Sequence, residues 1–425
     1  MVGRPVSALA QAGLDGRDLA LMPDSGTDQS AAVQLAVNTA AERGLPLMLP
    51  GGNYIASNIV LPSNLKLSGV PGATVLHAVG NAPILTGDGQ QDIIIEDISF
   101  RGTSAAADPA DLLQFRAISN LHLSRLDLQK AGSNGIYAEI CQGMIVDCSL
   151  SGFGRSAIHV QNSIDMTLAH NTIRDCANGG IRVWRYENGR DGTLVTGNNI
   201  SGIGSQSGNG QNGNGINIFR ADDVIVAENN ITDCAFSAIR ANSTNNALIQ
   251  GNICTHSQEV AIFSEFAFTG SIVSGNLIDE AAQGISITNF DSGGRLAVVS
   301  DNIVRNIWPS SPTNPDTSPV GIFAEADTAI SGNVVENVPG FGILAGWGPY
   351  LRNVLVSNNI VRETEAGIGV SVAEGAGTAR IAGNLISDAK QAAIIGMAWR
   401  DPVGTDLSTK PDQFPQVSVA GNTVS

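Results

Sequence analysis

Four charged side chains recur at matched places in a repeating pattern and could carry the chemistry of this chain: Glu265, Glu325, Arg240 and Arg182. Two carboxyls facing one ligand can divide acid and base roles, and a separation of roughly 6.5–9.5 Å is that of inverting glycosidases. Glu265 and Glu325 occupy equivalent outward positions two coils apart, with Thr288 between them. Two strand spacings put their Cα atoms ~9.6 Å apart, so leaning side chains would bring the carboxyls into that window. Asp291 and Asp327, at strand ends, could replace either. Arg240 would act beside them, and Arg182 would grip a carboxylate through paired hydrogen bonds, which suits a uronic acid or another acidic sugar. The competing reading is a solvated acidic stripe in which Arg240 pairs with Glu265 on the next coil.

Other polar and aromatic residues surround these four. The amides of Asn217, Asn242 and Asn289 could share hydrogen bonds with sugar hydroxyls, while Trp184, Phe219, Phe263 and Trp347 could serve as stacking platforms or simply pack loops. Tyr137 and His159, on adjacent coils, form a candidate proton-transfer pair, against the plainer reading of His159 as a polar surface residue. No cofactor is required, although Asn242, Glu265 and Glu325 all supply the oxygen ligands that calcium takes. Two signals carry nothing. The glycines at 208, 210 and 213 match a dinucleotide-binding pattern but neither follow a Rossmann strand nor open a helix, and the five histidines lack zinc-ligand spacing.

The elements that must position these residues follow from a repeat. Two or three alternating apolar residues precede an asparagine, another apolar residue follows it, and a short turn leads to Gly-Ile or Ala-Ile. The asparagines are Asn171, Asn198, Asn229, Asn252, Asn276, Asn302, Asn333, Asn359, Asn384 and Asn422; Ile98, Leu126 and Cys148 hold the same place in earlier coils. A period starting in the low twenties without helical patterning is that of a solenoid with three short strands per coil. The fold predicted is therefore all-β, a single-stranded right-handed parallel β-helix of about 12–14 coils. Asparagine suits a bend that needs left-handed backbone, and stacked amides can bond up and down the solenoid.

Strand alternation then assigns the faces. From Ile136 through Ile394 the isoleucines point inward, as do Ala138, Val160, Val183, Ile218, Ala241, Ser264, Ile287 and Ala324. One outward row runs Tyr137, His159, Arg182, Asn217, Arg240, Phe263, Ser286, Phe323, Leu344. Its parallel runs Glu139, Gln161, Trp184, Phe219, Asn242, Glu265, Thr288, Glu325, Gly346. The long connections 186–192, 202–215 and 308–319 join this strand and would wall a groove over the middle coils.

Residues 1–27 read as an N-terminal extension and 28–44 as an amphipathic capping helix, with Thr27 or Asp28 as cap, Val33, Ala36, Val37 and Ala40 on one face and Gly44 as terminator. The β-helix spans 45–400, and 401–425, broken by Pro402, Pro411 and Pro415, forms a C-terminal cap and last strand. A total of 23 basic against 39 acidic residues, net -16, argues against a nucleic-acid partner. The odd number of cysteines, without C-x-x-C spacing, reads as free and buried. No apolar run approaches the ~20 residues that span a bilayer.

Residues 28–54 resemble the capping entry of pectate-lyase-like β-helix proteins. The body resembles, over nearly its whole length, a bacterial family of repeat proteins exported by the twin-arginine route. The stretches that carry the likeness begin at Gly215-Ile216-Asn217-Ile218, Ser237-Ala238-Ile239-Arg240, Glu259-Val260-Ala261-Ile262 and Gly346-Trp347-Gly348. The resemblance implies export in folded form to the periplasm or beyond, the leader having been removed from a mature chain. It implies no particular reaction, since the wider superfamily holds lyases, glycosidases, esterases and epimerases. The expectation is an exported protein, monomeric or a small homo-oligomer, that cleaves glycosidic bonds of an acidic polysaccharide as a hydrolase or lyase. The alternative is a non-catalytic envelope protein that binds glycan on the same face.

Overall fold

The computed structural model describes residues 13–103, 109–208 and 210–425; residues 1–12 of the expected N-terminal extension lie outside them. The chain winds as a right-handed parallel β-solenoid of about 14 turns. In one turn, Leu194–Thr196 lies on the first face, Asn198 takes the corner, Asn199–Ile203 lies on the second face and Asn214–Asp222 on the third. The first face is a 16-stranded sheet. The other two run together in later coils: Ile253–Glu265 pairs through its first part with Asn230–Cys234 and through its last with Ile239–Asn242. Val334–Ala345, Ile360–Ser371 and Leu385–Ala398 take the same continuous course. Three separate strands per coil thus gives way to two once the second connection shrinks to a bulge, as between Ser257 and Val260.

The corner asparagines form an unbroken column. Asn229 is typical: its Oδ1 accepts from the backbone N (3.0 Å) and the Nδ2 (2.9 Å) of Asn198, and its Nδ2 donates to Asn252 Oδ1 (3.0 Å) and Val195 O (3.0 Å). The column runs from Asn171, which caps the backbone N of Cys148, to Asn422. These side chains are not the ones in left-handed backbone, contrary to the expectation. That conformation belongs to the residue just before each of them, among them His170 (φ 57), Glu228 (φ 57), Asp301 (φ 59) and Asn358 (φ 56). The left-handed residue makes the bend, and the asparagine after it points inward to bond the stack.

The inward rows are buried as alternation requires, from Ile136 and Ala138 to Ile343 and Ala345, and they belong to one apolar core along the solenoid. The helix Ser30–Arg43 buries Val33, Ala36, Val37 and Ala40 in that core and ends on Gly44 (φ 61). It starts two residues later than expected, because Asp28 Oδ1 accepts from the Ser30 backbone N at 2.8 Å and holds the turn before it. At the other end, Asp401–Val403 folds back antiparallel on Leu385–Ala398, Leu407 is buried, and Val417–Ala420 rejoins the first sheet. All five cysteines are free and buried. Among the described residues no helix is long and apolar enough to cross a membrane.

Adjacent substitutions separate the two corner roles. Asn229→Ala strands buried donors and acceptors on both neighbouring coils and should lower the unfolding free energy by about 2–4 kcal/mol in urea denaturation. Glu228→Gly, one residue earlier at φ 57 on an exposed side chain, should stay within about 1 kcal/mol of the parent, since relief at left-handed backbone offsets glycine's entropy.

Candidate functional site

The third face carries the two outward rows in the expected register. Tyr137 pairs with His159, His159 with Arg182, Arg182 with Asn217, Asn217 with Arg240 and Arg240 with Phe263. The parallel row pairs Trp184 with Phe219, Phe219 with Asn242 and Asn242 with Glu265. Walls rise on both sides. The strand Gly179–Arg190 breaks register between Trp184 and Gly189, and there Tyr186 Oη reaches Glu139 Oε1 (3.0 Å) and Asn188 Nδ2 reaches Ser243 O (2.5 Å), so this part of the chain leans over several coils. On the other side Asn212 bonds Arg182, and Asn314 Nδ2 bonds Glu259 Oε1 at 2.8 Å. Outward side chains that would be solvated on a bare sheet are therefore buried: Arg182 is 2% exposed and Glu265 2%.

Arg240 lies between two carboxylates. Its Nε and Nη2 form a two-pronged pair with Glu265 (2.6 and 2.8 Å), and Nη1 reaches Glu259 Oε2 (3.1 Å) and Gly210 O (2.9 Å). Asn242 Nδ2 adds a bond to Glu265 Oε1 at 2.7 Å. Of the two readings of these residues, the geometry is that of the ion pair. Arg240 has most of its five donors engaged and is a poor anchor for a ligand carboxylate. Glu259, 3% exposed, went unremarked in the sequence reasoning. It lies outside the two outward rows, inside the bulge between Ser257 and Val260, where alternation loses its phase. A charged residue beside an apolar run was the available signal.

Arg182 is the opposite case. Its Nη2 donates to Asn178 O (3.1 Å) and Asn212 Oδ1 (2.7 Å), both neutral, and its guanidinium lies 4.9 Å from the Trp184 ring centre. Burial, and then the like charge of Arg155, depress its pKa. His159 beside it is pulled down to about 3 by burial and then by Arg182, and its Nε2 meets Gln161 Oε1 at 3.2 Å. Burial pushes the Tyr137 hydroxyl upward. Both rings of the proposed proton-transfer pair are thus neutral across ordinary pH; they meet edge to face at 5.3 Å, and the contact continues to Trp184 at 5.2 Å and Phe219 at 5.9 Å.

Glu325 faces outward on the same row as Glu265 but under a different cover. Its Oε2 accepts from the backbone N of Phe290 at 2.8 Å, and burial raises its pKa to about 7. The expected acid and base therefore share a row without sharing a cavity. Asn289 shapes a turn rather than facing the groove: it sits at φ 71 and its Oδ1 accepts from Phe266 N (3.2 Å). Asp291 lies in the short helical turn Phe290–Ser292, and Asp327 is paired with Arg352 and Arg295. Trp347 packs edge to face on Trp399 at 5.7 Å, several coils away.

What the face brings together is a cavity of about 250 Å³ lined by Trp184, Asn217, Phe219, Arg240, Asn242 and Glu265, with Gly210 and Gln211 at its lip. Trp184 Nε1 donates to Asn217 Oδ1 at 2.6 Å, which fixes the indole. The oxygens weighed for calcium do not converge here, since Asn242 turns its amide nitrogen to Glu265 and Glu325 lies outside the lining. Among the described residues no three His, Cys, Asp or Glu side chains cluster as metal ligands.

A parallel solenoid with a walled trough on one face defines the class. The sequence matches the family described as "Right handed beta helix region" over residues 134–304 and 186–354, together just over half of the chain, and the protein belongs to that family. No curated protein matches the sequence. Among solved structures it is similar to the Dettilon tailspike protein gp208 (12% identity, 96% of this chain and 68% of that one, TM-score 0.53). It is also similar to PfbA, a surface adhesin of Streptococcus pneumoniae (14%, 92% and 94%, 0.51). A third match is the A-module of the Azotobacter vinelandii mannuronan C-5 epimerase AlgE6 (15%, 97% and 99%, 0.49). At 12% and 14% identity, the likeness to the tailspike and the adhesin shows a shared fold alone.

The covered carboxyl of Glu325 makes stability depend on pH. An unfolded glutamate loses its proton near 4.5, whereas the folded one keeps it to about 7. The folded state then binds more protons in that window, so stability falls as pH rises through it, by roughly 3 kcal/mol. Glu325→Gln should remove this loss: in urea denaturation the variant gains on the parent between pH 4.5 and 7.5. A pH-independent difference would mean that the carboxyl is not held protonated.

Proposed function

We propose that this protein binds a glycan along the third face, with one sugar ring seated against Trp184 and Phe219. The observation that carries the reading is the cavity, which two aromatic side chains line together with Asn217, Asn242, Arg240 and Glu265. Sugar rings offer apolar faces to aromatics and hydroxyls to amides and carboxylates, and both kinds of partner converge here. At about 250 Å³ the cavity lies just under the roughly 300–1,000 Å³ of small-ligand pockets, so it suits one ring, with neighbouring units running along the trough. Export by the twin-arginine route, implied by the resemblance of the sequence, belongs to the same proposal.

Cleavage of the bound chain is a second reading, favoured by one observation. Glu325 is raised to about 7, which suits a general acid, and it stands on the same row as Glu265. That chemistry needs a glycan reaching two coils past the cavity and the Asn289–Phe290 turn drawn aside.

Two measurements test these readings. On a polysaccharide array followed by calorimetry, Trp184→Ala and Phe219→Ala should each weaken binding at least roughly tenfold; unchanged affinity in both would place the glycan elsewhere. Incubation of the bound polysaccharide should release new reducing ends or ultraviolet-absorbing unsaturated ends, and Glu325→Gln should abolish the release. With no release the protein is a binder only.

A further inference from the structure

We infer that Arg182 is the receptor for a carboxylate on the ligand, which makes the glycan of this groove an acidic one. The inference rests on the glycan reading only for what carries the carboxylate. The two arginines of the outward row differ in a way that assigns their roles. Arg240 is paired with Glu265 and Glu259. Arg182 is 2% exposed and has no ion pair with any described residue; the charged group acting on it is Arg155, of like sign, while His159 beside it is neutral. A buried charge without a counter-charge destabilises a fold, and such a rule is broken mostly at functional sites, where a ligand can supply what is missing.

The unfilled bonding positions are specific. Arg182 Nε and Ser156 Oγ are both buried with no hydrogen-bond partner. They flank Gly179: a β-carbon there would lie 2.9 Å from Nε and 2.8 Å from Ser156 Oγ, so only glycine lets the guanidinium lie this close to the backbone. Its other contacts are to neutral oxygens, and one of them, Asn212 Oδ1, belongs to a loop side chain held on its other side by one bond, from Nδ2 to Gly208 O at 2.8 Å. The guanidinium is outside the lining itself but lies over Trp184 and is adjacent in register to Asn217, both of which line the cavity. A carboxylate on a sugar held there takes the place of Asn212 Oδ1. The exchange is favourable because bonds between charged partners are roughly twice as strong as neutral ones, and the planar fork of arginine matches a carboxylate.

The test compares three probes by calorimetry on the full chain: tetragalacturonate, the same oligosaccharide with its carboxyls reduced to alcohols, and sodium acetate at matched ionic strength. The acidic oligosaccharide should bind at least roughly tenfold tighter than the reduced one, and Arg182→Gln should erase that advantage. Without ligand, Arg182→Gln should melt at or above the parent temperature, because it removes an unpaired buried charge; a purely structural arginine would give a lower one. Asn212→Ala, which frees the guanidinium, should bind tetragalacturonate as tightly as the parent or more so. Equal binding of both oligosaccharides overturns the carboxylate site and leaves the glycan reading standing. Arg182-dependent binding of acetate with neither oligosaccharide bound keeps the site and overturns the glycan reading. No binding of any probe overturns both.

Discussion

From Asn198 to Asn384 the corner asparagines are buried, and each amide, like that of Asn229, accepts twice from the coil before through its oxygen and donates onward through its nitrogen. A coil displaced by one residue would break all of these bonds and turn its core side chains toward solvent. The column therefore holds successive coils in one phase from Asn171 to Asn422. Everything on the far side of the coil inherits that phase. Trp184, Phe219, Asn242 and Glu265 stand in line because the corners behind them are in line.

The walls change what the outward row can do. A guanidinium and a carboxylate on an exposed sheet gain little from each other, since water competes for both. Under the 202–215 and 308–319 connections the same pair is largely buried, and partner choice has large consequences. Arg240 met two carboxylates and became part of the floor. Arg182 met amide oxygens and an indole, and kept an unneutralised charge. Two residues of one type, two coils apart on one row, are thus separated into a paired and an unpaired cation by what leans over them.

Much of this was legible in the sequence, for physical reasons that also mark where legibility stops. Alternation with period two is a property of the backbone, so the inward isoleucines and the outward rows could be assigned without coordinates. The recurrence of asparagine gave the ladder, but not which residue bends the chain: Glu228 and His170 in left-handed backbone carry no compositional signal of it. The partners of outward groups were out of reach because they come from bulges and long connections. Glu259 lies beside a register shift, Asn212 in a loop, and Phe290 in a turn that covers Glu325.

The ladder does not run the whole length. Ile98, Leu126 and Cys148 fill its place in the early coils, where only Cys148 receives a bond from it. These coils are joined by strand pairing and apolar contact but lack the polar spine. In a quasi-linear architecture, where each layer leans on its neighbours, cohesion then differs from one end to the other. The molecule is a zipper with a looser leading section and a firmly locked middle, and the recess between the walls is mounted on the locked part, where thermal breathing would least disturb its shape.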